Sequence, residues 1–222
     1  MSDEITGRHE GATVYVIGKG TSTYAYFKHG KFERLRGKIV IAVNSIIWRI
    51  PHARYWIFFD NHRIGPHREL FEKCESELIF HPSMNRGELP DDPRLVCYKV
   101  LAVTIPARKW GEPLYFGNSS AVLATNLAVI MGAARIELLG IDLGDAGTGV
   151  PNCFAEEDGG IDANRAWLIS SSFRFVSGFL REWGIEVITR CRFEHGVAQT
   201  NLRDWDHCPA PLLFPALPLE EL

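Results

Sequence analysis

The chain has 222 residues, a hydrophobic share of 46 %, a charged share of 23 % and a net charge of -3. That is ordinary globular composition, which excludes a disordered, fibrous or polybasic protein and gives no direct sign of nucleic acid. At this length folding should bury roughly 70 % of the surface that the unfolded chain exposes, so a sizeable core needs no staples.

The opening, MSDEITGRHE, is polar and carries no apolar leader. No later stretch approaches the ~18 uninterrupted apolar residues of a membrane span. Five cysteines, Cys74, Cys97, Cys153, Cys191 and Cys208, are scattered and never form a C-x-x-C pair. Neither a disulfide framework nor a zinc site is suggested. Together these features point to a cytoplasmic protein.

Short apolar runs then recur in chain order: residues 12–17 (ATVYVI), 38–43 (KIVIAV), 55–59 (YWIFF), 77–80 (ELIF), 95–98 (LVCY), 135–140 (RIELLG) and 185–188 (IEVI). Most are followed by Gly, Asn, Asp or Ser and then by a more helical stretch, which is the rhythm of β-α units. Several are apolar at consecutive positions, as strands covered by helices on both faces must be. The fold expected is α/β: a Rossmann-like, doubly wound, mainly parallel sheet in one domain over residues 1–207.

Two helices stand out. Residues 119–131 (SSAVLATNLAVIM) are apolar almost all round and stop at Gly132, as a buried central helix would. Ala166, Ile169, Phe173, Val176, Leu180 and Trp183 follow the spacing of one helical face. The Pro-rich C-terminal tail, residues 208–222 (CPAPLLFPALPLEEL), carries four prolines that forbid helix and sheet alike. Wrapping its own domain and joining a homo-oligomer are both open to it.

Candidate chemistry gathers at the carboxyl ends of the expected strands. In V-I-G-K-G-T-S, Gly18 and Gly20 occupy the tight turn after the first strand, and Thr21 and Ser22 can cap a helix facing a phosphate. A plain β-α turn with a Ser cap is the alternative. Asn44 ends the second run and Asp60 follows the third, where open parallel sheets bind ligands, although loop capping explains either equally. Asn118, Ser119 and Ser120 in G-N-S-S supply a second helix N-terminus for an anion, or simply a cap. Asp142 closes L-L-G-I-D, and Asp145 with Glu156, Glu157, Asp158 and Asp162 follows it. Asp142 and Asp145 are the pair expected to hold a magnesium ion, should there be one.

A general base is most easily a histidine. Of the eight present, His81 and His195 are the candidates, with Asp142 as a third catalytic group, while His62 and His67 flank the loop after Asp60. Arg54, Arg63, His67 and Arg68 form a basic cluster fit either for an acidic substrate or for solvation.

The segments V-I-G-K-G-T-S, A-V-N-S-I and G-N-S-S-A-V-L-A-T-N-L-A-V-I-M-G-A-A-R-I-E-L-L-G-I-D resemble the bacterial sialyltransferases that use a cytidine-monophosphate sugar donor. They are equally similar to the hydroxymethylpterin diphosphokinase-like domain family, which has many phage-encoded members. The resemblance spans residues 12–142. It implies that Gly18, Gly20 and Ser22 lie at donor phosphates, Asn44 at the nucleotide, Ser119 and Ser120 toward the donor, and Asp142 near the base or ribose. The sialyltransferases carry tyrosines and a catalytic His in a lid after G-I-D, whereas here residues 141–181 hold neither type.

The function expected is a nucleotide-binding, glycosyltransferase-like transferase that uses a nucleotide-sugar donor. Two alternatives stay open: a magnesium-dependent diphosphokinase, and a catalytically silent nucleotide-binding or assembly protein. The missing lid residues favour the last.

Overall fold

The computed structural model describes residues 4–20, 23, 31–60, 68–83, 89–101, 105–141 and 163–190. Seven strands form its main sheet: β1 (Thr13–Ile17), β2 (Ile39–Val43), β3 (Tyr55–Ile57), β4 (Leu78–Pro82), β5 (Leu95–Tyr98), β8 (Arg135–Leu139) and β9 (Glu186–Arg190). Their order is β5-β4-β3-β2-β1-β8-β9, and every neighbouring pair is parallel. A second, two-stranded parallel ribbon joins β6 (Val100–Leu101) to β7 (Leu114–Tyr115). The expected α/β fold with a parallel sheet is therefore present.

The consecutive apolar runs are explained by burial on both faces. Successive residues of a strand point to opposite sides, so Ile41 and Val43 of β2 enter one core while Val40 and Ala42 enter the other. In the same way Tyr55 and Ile57 of β3 oppose Trp56. The first core is closed by α2 (Ser120–Ile130) and by Ile169, Phe173, Val176 and Leu180 of α3 (Ala163–Glu182). The second is closed by Phe32 and Leu35, by Ile46 and Ile47 of the 3-10 turn Asn44–Trp48, and by Leu70 and Phe71 of α1 (Arg68–Lys73).

Every residue of α2 is buried, including the polar Ser120, Thr125 and Asn126. Such polar groups are tolerated inside only when hydrogen-bonded. Thr125 Oγ1 donates to the Ala121 carbonyl at 2.9 Å. Asn126 Oδ1 accepts from the Ala107 and Tyr115 amides at 3.1 and 3.0 Å, and its Nδ2 donates to the Ala107 carbonyl at 2.7 Å. One side chain thus fastens the segment before β7, and β7 itself, to the central helix. At the other end of α2, amides of Gly7, His9 and Gly11 donate to the carbonyls of Ile130, Met131 and Gly132. These are the carbonyls that a helix terminus leaves without intrahelical partners.

From β1 the chain steps outward through β2, β3, β4 and β5, returns through the ribbon and α2, and continues on the far side of β1 with β8 and β9. The order reverses between β1 and β8. Open α/β sheets bind ligands beyond the carboxyl ends of their strands at such a reversal. No helix among the described residues is long and apolar enough to cross a membrane.

Candidate functional site

At the reversal, β1 and β8 run on past their formal ends. The Gly18 amide donates to the Leu139 carbonyl at 2.8 Å and the Gly20 amide to the Gly140 carbonyl at 2.6 Å. The amides of the two glycines expected to let the backbone approach a phosphate are therefore committed within the chain. Gly140 has φ +67°, and a Cβ there would overlap Thr23 Oγ1 and the Gly18 carbonyl. Thr23 is fully buried and its hydroxyl donates to the Gly18 carbonyl at 2.7 Å. Gly18 and Gly140 are thus needed for close approach of two backbones, whatever else they meet.

Asn44 follows β2 directly and opens the 3-10 turn, with φ +56°. Its carbonyl accepts from the Trp56 indole at 2.9 Å. Its side-chain Oδ1 is buried and, among the described residues, has no hydrogen-bond partner. Left-handed backbone is adopted by Asn more readily than by other residues with a side chain, so the turn accounts for the residue type. It does not account for a desolvated acceptor left unpaired, which costs about 1–3 kcal/mol.

Phe59, just beyond β3, stacks on Phe116 with ring centroids 4.1 Å apart and planes at 24°. That contact ties the end of β3 to the turn before α2, so the partly buried Asp60 comes to the same edge of the sheet as Asn118, Ser119 and Ser120. Gly117 and Asn118 are both left-handed, at φ +53° and +55°. A Cβ on Gly117 would lie 2.7 Å from Val122 and 2.8 Å from Ser172, so α3 presses on this turn. Ser119 is the N-cap of α2, its Oγ accepting from the Ala121 amide at 3.2 Å. Its capping role is thereby realised, and Asn118 is exposed beside it.

Tyr98 ends β5 and is buried. Its hydroxyl donates to the Phe58 carbonyl at 2.7 Å. Burial pushes its pKa well above the ordinary value of 10.0, and the negative charges of Asp60 and Cys97 add to the effect.

His81 lies within β4, only 1 % exposed, with Nδ1 3.0 Å from the Pro82 carbonyl. β4 is separated from β2, and so from Asn44, by β3. Of the basic cluster, Arg54 is held by Glu77 at 2.5 Å. Thr21, Ser22, His62, Arg63, His67, Asp142, Asp145, Glu156, Glu157, Asp158, Asp162 and His195 lie outside the described residues, as does the tail, residues 208–222. Among the described residues no group of three or more His, Cys, Asp or Glu side chains is placed to hold a metal ion.

The structure thus brings Gly18, Gly20, Asn44, Asp60, Asn118, Ser119 and Ser120 to the carboxyl edge of one sheet. Sequence reasoning missed Gly140, Phe59 and Phe116. Gly140 was visible only as the end of a strand, and the two phenylalanines were indistinguishable from core residues.

Compared with known proteins, the chain matches no family model, no curated protein and no solved structure.

Proposed function

We infer that the chain is a nucleotide-binding transferase of Rossmann-like fold, glycosyltransferase-like in its use of a nucleotide-sugar donor. The donor would lie across the carboxyl ends of β1, β2 and β3, with its phosphates toward the opening turn of α2. The observation that carries the reading is Asn44 Oδ1, a buried acceptor with no partner among the described residues, one strand from the strand-order reversal. A ribose hydroxyl or an exocyclic base amine supplies the donor that this oxygen lacks. The position at the reversal is where α/β sheets accept nucleotides. Because the Gly18 and Gly20 amides are already engaged, what these two residues offer a donor is close backbone approach, while the opening turn of α2 offers an anion its amides.

The test is a thermal-shift panel of cytidine, uridine, adenosine and guanosine mono-, di- and triphosphates, with and without magnesium. A ligand at 100 times its dissociation constant adds roughly 2.7 kcal/mol of stability. A cytidine or uridine nucleotide is expected to raise the melting temperature without metal, and its consumption in the presence of acceptors marks an enzyme. A magnesium-dependent triphosphate shift replaces this reading with the diphosphokinase. Binding without consumption leaves a silent nucleotide-binding protein, and no shift at all overturns the donor site.

A further inference from the structure

Helix α3 has a second apolar stripe beside the face that fills the core, and Trp183 at its end is itself partly buried against that core. Ile169, Phe173, Val176 and Leu180 are buried against the sheet and α2. Leu168, Phe175, Phe179 and Trp183 recur at intervals of seven, four and four on an adjoining stripe, and Phe175 is 44 % and Leu168 40 % exposed. The rings form a continuous row. Tyr115 of β7 lies 5.2 Å from Phe175, Phe175 lies 5.2 Å from Phe179, and Phe179 lies 5.5 Å from Trp183. Leu101, 50 % exposed, pairs with Tyr115 and lengthens the patch. The Arg108 guanidinium sits 5.0 Å over the Trp183 ring, and among the described residues no carboxylate pairs with it. The outer face of a helix is ordinarily polar, and a contiguous exposed apolar patch marks a docking surface.

We propose that the Pro-rich stretch of residues 208–222 docks on this stripe in the same chain. A row of aromatic rings is the kind of surface on which proline-rich segments lie, because their extended conformation is already set and costs little entropy to bind. The stretch carries Pro209, Pro211, Pro215 and Pro218, then Leu212, Leu213, Phe214, Leu217 and Leu219 between them, and then Glu220 and Glu221.

The dimensions agree. In polyproline conformation, at about 3.1 Å per residue, Leu212 to Glu220 spans about 25 Å. At about 1.5 Å per residue, the helix rises about 22 Å from Leu168 to Trp183. The route agrees as well. Helix α3 links two parallel strands, so it runs back across the sheet and β9 ends on the side where α3 begins. Residues 191–207, at up to about 3.3 Å each, reach on the order of 55 Å from Arg190. Laid down from the Leu168 end, the prolines meet Phe175 and Phe179, and Glu220 and Glu221 arrive where the Arg108 guanidinium lies over Trp183.

The test uses the full chain with p-benzoylphenylalanine in place of Phe214, half of it carrying heavy nitrogen, irradiated and mapped by mass spectrometry. The expected crosslinks join chains to themselves, at α3 between Leu168 and Trp183 or at Tyr115. Phe175→Ser, which removes an exposed ring and leaves the core intact, is expected to reduce them severalfold. Crosslinks between light and heavy chains would assign the stripe to a second copy. That outcome, crosslinks elsewhere on the protein, or none at all overturns the proposal.

Discussion

Gly18 and Gly140 touch through their backbones: a Cβ on Gly18 would lie 2.7 Å from the Gly140 carbonyl oxygen and 3.3 Å from the Ile141 side chain. The ends of β1 and β8 are locked at the position where the sheet reverses order. Gly140→Ala adds a methyl at φ +67° against Gly18 and Thr23, combining left-handed strain of roughly 1–2 kcal/mol with overpacking of about 1–3 kcal/mol. The expected loss is roughly 2–5 kcal/mol in denaturant unfolding. Gly18→Ala has no left-handed penalty and is expected to lose only the overpacking share. Equal losses in the two variants would dismiss the strain at residue 140.

Asn44 sets stability against binding. Asn44→Gly keeps the left-handed turn and removes the unpaired acceptor, which is worth about 1–3 kcal/mol and is partly offset by about 0.5–1 kcal/mol of glycine entropy. The variant is expected to be more stable by about 1 kcal/mol in the absence of ligand. It is also expected to bind the shifting nucleotide about tenfold more weakly, the equivalent of one lost hydrogen bond of about 1.4 kcal/mol. Isothermal titration alongside denaturant melts reads both quantities. Unchanged affinity would remove Asn44 from the donor site while leaving its stability effect in place.

At the opposite, amino-terminal edge of the sheet, His9 Nε2 lies 2.7 Å from the Tyr55 hydroxyl in a buried contact. Burial, followed by the charges of Arg54 and Arg8, lowers the His9 pKa below 6.5, with Glu77 opposing. Burial raises that of Tyr55 above 10.0, against the pull of the same two arginines. The unfolded chain therefore takes up the His9 proton first as pH falls, and stability declines from about 6.5 downward until the folded histidine also protonates. Above about 10 the unfolded tyrosine ionises first, and stability declines again. Denaturant midpoints measured across pH should show this acid limb shallower in His9→Gln. An identical acid limb in the variant would assign it to other groups.

The sheet was legible because burial on both faces leaves consecutive apolar residues, as in Val40 to Val43, bounded by Asn and Gly. The ribbon of β6 and β7 was not, since two residues a strand hold no period, and Asn126 of the following helix, which fastens Tyr115, reads locally as one polar residue in an apolar run. The six-residue α1 is also too short to show a helical face. Within the site, Gly18 and Asn44 could be picked out because turn chemistry marks them locally. The Phe59–Phe116 stack and the Gly140 contact arise only when separate elements meet, and nothing in the local sequence separates those residues from ordinary core or strand-end positions. His81 shows the converse: a residue type suited to proton transfer sits inside a strand with its ring against the neighbouring carbonyl.

The amides of Gly7, His9 and Gly11 close the end of α2, and β1 carries β8 along one whole side. Residues synthesised before β2 thus wait for some of the later parts. During translation β1 can pair with β2 and the strands beyond it, but its other edge stays open until residues 130–139 have emerged. Closing so long a loop is the slow kind of step in folding. Assembly should therefore run from the β2–β5 side, with the seam between β1 and β8, where the candidate site lies, sealed only afterwards and before β9 adds at the outer edge.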